Sequence, residues 1–269
     1  MSTITAPTLT RPVTPAARGS LVHDVRTVFR RELQPLIREP FTLVFGMVQP
    51  LFFLALFGPL LVSTTGLGDA GTLQWFVPGI LVMSTLFATS MTGSNLLAEV
   101  QTGSHERMLV TPLRRSALIV GRALKEIVPV IGQAVLIVLV SLPFGFDPHA
   151  AGGLIGLVLL ATFGVGLGAL SYALALAVKD QDWMFWMVQQ TFLFPLMLLS
   201  GMLLPIDDGP GWLRALSAAN PLTYVVDAER ALFAGDIGTT TVLWGVLAAV
   251  GTAAAGLAIG VRTIRRTAG

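Results

Sequence analysis

Charge is the scarcest property of this sequence. Asp, Glu, Lys and Arg make up 12% of its 269 residues, about half the roughly 25% of an ordinary soluble domain. Apolar residues supply 54%, and mean hydropathy is +0.76. A soluble fold needs charged outer helices to cover its buried ones, and none are present. The balance excludes soluble, disordered and fibrous classes. Cysteine is absent, which excludes a disulfide framework, cysteine-ligated zinc and iron–sulfur clusters. Lysine occurs twice, at Lys125 and Lys179, and neither follows a glycine. No Walker A loop is possible, so any ATP chemistry must come from another subunit. The histidines His23, His105 and His149 are scattered. His105-Glu106 opens like a zinc-protease helix, but position 109 is leucine, so the second ligand is missing and no metal site is expected.

What the chain does have is long apolar runs, near 41–63, 75–98, 127–146, 153–178, 183–204 and 239–261. About 20 helical residues cross a hydrocarbon layer of ~30 Å. The runs are continuous rather than alternating, which argues for helices over a barrel. The expectation is an all-α membrane protein with six spans. Fifteen of the seventeen Lys and Arg residues fall on one side of that arrangement, Arg214 and Arg230 being the exceptions. The positive-inside rule then puts both termini in the cytoplasm of a cell-membrane protein. The first twenty residues lack an apolar core, so no cleavable signal peptide is expected and the first span directs insertion.

Residues 1–19 read as a disordered tail, followed by a membrane domain over 20–269. In 20–34, Leu21, Val22, Val25, Val28, Phe29 and Leu33 recur at helical spacing, with Arg26, Arg30 and Arg31 off the stripe. This predicts an amphipathic interfacial helix rather than a nucleic-acid arm, because a span follows directly. Pro35 and Pro40 punctuate the approach to that span.

After the second span, Gly103 breaks the helix. Ser104 is expected to cap a short cytoplasmic helix over 104–111 with Glu106 in its first turn, and Pro112 to end it. Arg122 and Glu126, four apart, are expected to pair before the third span. Gly152/Gly156, Gly164/Gly168 and Gly256/Gly260 have small-xxx-small spacing, suited to helix packing within the chain or at a subunit interface. The two halves show no sequence repeat. In the outer loop 205–238, Asn220-Pro221 is a helix-start signal. Leu222, Val225, Val226, Leu232 and Phe233 are too apolar for a free loop, so two short helices are expected to dip back into the outer leaflet.

The spans hold no ionisable group near their centres, which argues against proton- or sodium-coupled transport. Their amides, Gln49, Asn95, Gln133, Gln189 and Gln190, either bond between helices or touch a substrate. Gln189 and Gln190 cannot both face one neighbour, which favours a cavity there, with Phe192 and its neighbouring aromatics available to an amphipathic molecule. Gly66-Leu-Gly-Asp69 matches a motif of intramembrane aspartyl proteases, but no span supplies a second carboxylate.

Two stretches carry a family resemblance: Glu99-x3-Gly103-x2-Glu106-Arg107 leading to Thr111-Pro112-Leu113, and Leu204-Pro205…Pro210-x-Trp212-Leu213…Asn220-Pro221-Leu222. With six spans, the chain from about residue 20 onward resembles the type-2 ABC exporter permeases, in particular the daunorubicin-resistance-like branch. The resemblance implies that 104–111 is a coupling helix docking on a separate ATPase subunit, which would hold ATP and Mg. Glu99, Gly103, Glu106, Arg107, Thr111, Pro112 and Arg114 belong to that junction, and Arg115 is a further candidate contact. For Arg114 and Arg115, positive-inside anchoring is an equal reading. Pro205, Pro210, Trp212, Asn220 and Pro221 mark re-entrant outer helices. Two permease copies, or two related permeases, would pair with two ATPases. The chain itself would be a transport subunit, not an enzyme. Its cargo is expected to be a hydrophobic or amphipathic drug, antibiotic or lipid, with polysaccharide or lipid-linked glycan as the alternative.

Overall fold

A computed structural model describes residues 20–38, 40–65, 68–111, 113–206 and 209–267. The expected disordered tail 1–19, Pro112, and Gly66 of the aspartyl-protease motif lie outside the described residues. Every regular element among the described residues is helical. In chain order these are α1 (Leu21–Arg38), α2 (Pro40–Thr65), α3 (Gly68–Gln101), α4 (Ser104–Leu109), α5 (Arg115–Lys125), α6 (Ile127–Ser141), α7 (Ala150–Ala177), α8 (Asp182–Leu198), α9 (Gly211–Ala218), α10 (Pro221–Ala234) and α11 (Thr240–Thr267). A 3-10 turn, Leu142–Phe144, follows α6.

Four helical stretches among the described residues are long and apolar enough to cross a membrane: Gly71–Gln101, Arg115–Phe144, Ala150–Ala177 and Thr240–Arg266. Among its described side chains, α2 carries a shorter apolar stretch, Val44–Leu60, within a helix of 26 residues. Helix α8 is shorter too and stops well before the expected limit at 204. Ser200 and Gly201 end it: the Ser200 hydroxyl donates to the Met197 carbonyl at 2.6 Å, and Gly201 turns left-handed at φ 72°. Pro50, Pro59, Pro78 and Pro195 lie inside their helices, each removing one backbone donor from the ladder.

At the centre stands α3, with 78% of its most apolar window buried against 22% for α11. Phe76, Val77, Ile80, Leu81 and Met83 from α3 form the main core with Val130 and Ile137 of α6, Leu160 and Phe163 of α7, and Val225, Val226 and Leu232 of α10. The most extensive helix contact joins α7 to α11, and glycine makes it possible. A Cβ at Gly166 would lie 2.6 Å from the α11 backbone at Thr252–Ala253, and Gly256 faces Gly166 in return. The glycine stripes thus pack within the chain.

The turn before α10 behaves as the sequence predicts. Asn220 caps the helix by accepting from the Leu222 N–H at 3.1 Å, Pro221 takes the first helical position, and the apolar residues named above enter the core. On α1 the outcome differs. Its helix runs through Pro35 to Arg38, and its inward face carries Asp24, Val28 and Glu32, four residues apart, while Val22 and Ile37 are exposed.

Candidate functional site: the junction around α4

The chain leaves α3 through Gly103, whose φ of 68° is left-handed, a conformation open to glycine without strain. Gly103 itself is the N-cap of α4, and no side chain caps the helix. Ser104 therefore begins the helix rather than capping it, because the left-handed turn already sets the chain direction. Beyond Leu109, the Thr111 hydroxyl donates to the Met108 carbonyl at 2.6 Å and closes the turn.

Short as it is, α4 is anchored in the bundle through Met108 among its described side chains. Met108 is buried among Val28 of α1, Leu96 and Leu97 of α3, Leu118 and Ile119 of α5, and Tyr172 and Leu176 of α7. Above it stands Arg122, 2% exposed. Its guanidinium pairs with Glu99 at the end of α3 and with Glu32 of α1 at 3.3 Å. It also approaches the Met108 sulfur at 4.0 Å and lies 5.7 Å from the centre of the Tyr172 ring. One side chain thus ties together α1, α3, α4, α5 and α7.

The expected Arg122–Glu126 pair does not form. Arg122 turns to carboxylates from other helices, and Glu126 instead meets Lys125 at 3.4 Å and accepts from the Tyr172 hydroxyl at 3.4 Å. Space for Glu126 exists because α7 has glycine opposite: a Cβ at Gly168 would stand 2.7 Å from Glu126 Cγ.

A second clasp joins α1 to the start of α5. Buried Asp24 accepts from the backbone N–H of Arg114 at 3.3 Å, where a carboxylate also meets the positive end of the helix dipole. Gly121 lets the two helices close, since a Cβ there would lie 2.7 Å from Val28 Cβ.

Against this anchored interior, the other face of the junction is open. Arg107, Thr111, Arg114 and Arg115 are exposed, and Val110 is 86% exposed. Glu106 lies within α4, with its side chain outside the described residues. Glu99, expected at the same junction, is partly exposed at the end of α3 and pairs there with Arg122.

The expected amides separate. Gln49, Asn95 and Gln190 are exposed, and Gln133 is buried. Gln189 lines a cavity of about 190 Å³ between α3, α7 and α8, with Leu86, Thr89, Leu170, Ser171 and Leu193 among its walls and exposed Phe192 at its edge. Its Oε1 has no hydrogen-bond partner among the described residues. The Thr89 hydroxyl donates to the Thr85 carbonyl at 2.8 Å, whereas the Gln189 oxygen is an open polar atom of the wall.

At the far end of the bundle, Pro205, Pro210, Trp212 and Pro221 are exposed around buried Asn220, whose amide also donates to the Leu196 carbonyl at 2.7 Å. Arg230 holds α10 in place. It donates to the carbonyls of Trp75 at 3.1 Å and Gly201 at 2.8 Å, meets Asp227 at 3.3 Å, and stacks 4.0 Å from the centre of the Trp75 ring. Sequence reasoning missed this clamp, along with the Arg122 junction and a buried carboxyl, Glu229. For Glu229 the signal was present: it falls on the stripe of Leu222, Val225, Val226, Leu232 and Phe233 at helical spacing.

Comparison with known proteins follows the same outline. The family profile described as ABC-2 type transporter matches residues 23–234. The chain is 26% identical over 226 residues to a daunorubicin resistance ABC transporter permease protein, DrrB1, of Streptomyces coeruleorubidus, covering 82% of this chain and 79% of that one. It is 31% identical over 221 residues to a putative transport permease, ycf38, of Cyanophora paradoxa, covering 79% and 74%. It is 24% identical over 184 residues to a probable multidrug ABC transporter permease, YbhR, of Escherichia coli strain K12, covering 66% and 50%.

Proposed function

Because the chain belongs to the ABC-2 type transporter family, we propose that it is the membrane-spanning subunit of an ATP-driven exporter. Six spans are formed by α2, α3, α5–α6, α7, α8 and α11. Both termini and α4 lie in the cytoplasm, α1 lies along the inner interface, and α9–α10 re-enter from outside. A separate ATPase subunit holds ATP and Mg and docks on α4. A second permease, identical or related, completes the path.

The observation that carries this reading is the two-faced build of α4. Its inner face is locked into the bundle by Met108 beneath Arg122, while Arg107, Arg114 and Arg115 stand exposed beside it. A push on α4 is then delivered to α1, α3, α5 and α7 together, because the packed interior moves as a unit rather than deforming. The exposed arginines suit electrostatic steering of a soluble partner.

Cargo is a hydrophobic or amphipathic small molecule, drug, antibiotic or lipid, taken from the cytoplasm or inner leaflet. The cavity beside Gln189 supports this, being walled mostly by apolar side chains with the Gln189 oxygen open. The names of two relatives above, a daunorubicin resistance permease and a probable multidrug permease, support that class.

The test is co-purification with the ATPase encoded beside this chain, followed by reconstitution in liposomes and ATP turnover against drugs, lipids and glycans. Assembly with turnover stimulated by amphipathic drugs or lipids is expected. Stimulation by glycans alone overturns the cargo assignment, and a folded permease that captures no ATPase overturns the docking role of α4.

A further inference from the structure

The most anomalous group in the molecule is the carboxyl of Glu229, on the face of α10 that enters the core. Its side chain is 0% exposed. Neither oxygen has a hydrogen-bond partner among the described residues. The carboxyl presses on α7 at Gly156, where a Cβ would stand 2.5 Å from Oε2. One turn earlier on α7, Gly152 lies directly under the backbone of Leu232. The Gly152/Gly156 stripe is therefore the seat of α10, and Glu229 is set into it.

Among the described residues, no counter-charge stands against that carboxyl. The helices packed on α10 are α11, α7, α3 and α9. From Thr240 to Val261, α11 has no charged residue, and α7 has none along its length. His149, the cap of α7, is occupied in accepting from the Gly152 N–H at 3.2 Å, and Tyr172 is bonded to Glu126 toward the other end of α7. Between Ala70 and Ala98, α3 is uncharged. In α9, Arg214 is exposed. On α10 itself, Asp227 and Arg230 pair with each other, and Arg230 reaches outward to Trp75 and Gly201.

We propose that Glu229 is a proton-binding site, a carboxyl held as the neutral acid that fastens α10 onto the glycine seat of α7 and loosens it when the proton leaves. An ionised carboxylate with no partner in an apolar interior is too costly to retain, so the closed packing selects the protonated form. Burial alone pushes this carboxyl up to about 8. When α10 lifts from α7 and water reaches the group, it returns to the ordinary value of 4.5 and releases its proton. The opening equilibrium then rises with pH between those two values, by up to about tenfold per unit, and levels off above the upper one. The site is independent of the ATPase and of the cargo assignment.

The experiment is backbone hydrogen exchange of α10, measured on the full-length permease in lipid nanodiscs from pH 5 to 9.5 and corrected for intrinsic exchange. In the wild type, protection of 221–234 is expected to fall by up to about tenfold per pH unit, then level off near pH 8. Glu229→Gln, an isostere of the neutral acid, is expected to keep its protection across the range. An infrared difference between wild type and Glu229→Gln should show one protonated carboxyl that titrates near pH 8. Wild-type protection that does not change with pH overturns the proposal, and that measurement needs no variant. So does a Glu229→Gln protein with the wild-type slope, or a carboxyl titrating in the ordinary range. None of these measurements involves an ATPase. Failure here leaves the transporter reading standing, and failure of ATPase capture leaves this site standing.

Discussion

Arg122 in α5 and Glu99 at the end of α3 are ion-paired inside the junction that holds α4, with Glu32 of α1 completing the group at 3.3 Å. Their helices are joined in sequence through α4, so the pair closes a loop around the exposed segment. Removing Arg122 leaves the Glu32 and Glu99 carboxylates facing each other, with Arg31 at 4.0 Å from Glu32 as a more exposed substitute. Arg122→Ala is expected to cost about 3–5 kcal/mol, measured as loss of unfolding stability in detergent. A double-mutant cycle with Glu99→Gln should show strong non-additivity, since each substitution removes the other's partner.

Arg107 and Arg114 are exposed, so charge reversal there should act on docking and not on folding. Arg107→Glu and Arg114→Glu are expected to weaken ATPase association by about three- to tenfold at low salt. The difference should shrink as ionic strength rises. Titrated binding of the purified ATPase checks this, and unchanged binding would remove these residues from the docking face.

The crossing of α7 and α11 at Gly166 has no room for a side chain. Gly166→Leu should therefore lower stability by about 1–3 kcal/mol or more. Gly132→Leu is the control, because nothing lies within 4 Å of a Cβ at that position, and it should be nearly neutral. Thermal unfolding of both variants decides the matter.

Gln189 and Gln190 are adjacent, yet only the first lines the cavity. Gln189→Leu removes the open amide and is expected to shift the concentration of amphipathic drug that half-stimulates ATP turnover, by roughly three- to tenfold. Gln190→Leu should change it little. Equal effects would mean that the cavity does not meet the cargo.

Glu229 makes a stability prediction with a definite sign. Its carboxyl is raised in the folded protein, to about 8 from 4.5. The folded state therefore binds more protons than the unfolded state between these values. Its contribution is fully present at low pH, declines as pH rises through that window, and is constant above about 8. Midpoints of unfolding from pH 5 to 9 should fall in the wild type relative to Glu229→Gln.

Much of the architecture is legible in residue order. Gly103 marks the break before α4, Asn220-Pro221 the start of α10, and the glycine pairs the close helix contacts, because each is a local demand of backbone geometry. Side-chain partners are different. Arg122 and Glu126 have ideal helical spacing, yet each finds a better partner on another helix, and spacing along one helix says nothing about its neighbours. In α1 the apolar stripe suggested the buried face, but Asp24 and Glu32 turn inward because a helix N-terminus and a guanidinium wait for them.

What the sequence by itself determined is the class: a chain with so little charge and such long apolar runs must be helical within lipid, since helices satisfy their own backbone hydrogen bonds there. What the tertiary structure decided is where the few charged groups go. In an apolar interior a charge is tolerable only with a partner or a proton. Arg122 is given carboxylates from two other helices, while Glu229 is set against the glycine seat of α7 with no hydrogen-bond partner among the described residues. That difference is set by which helices pack together, which the order of residues does not state.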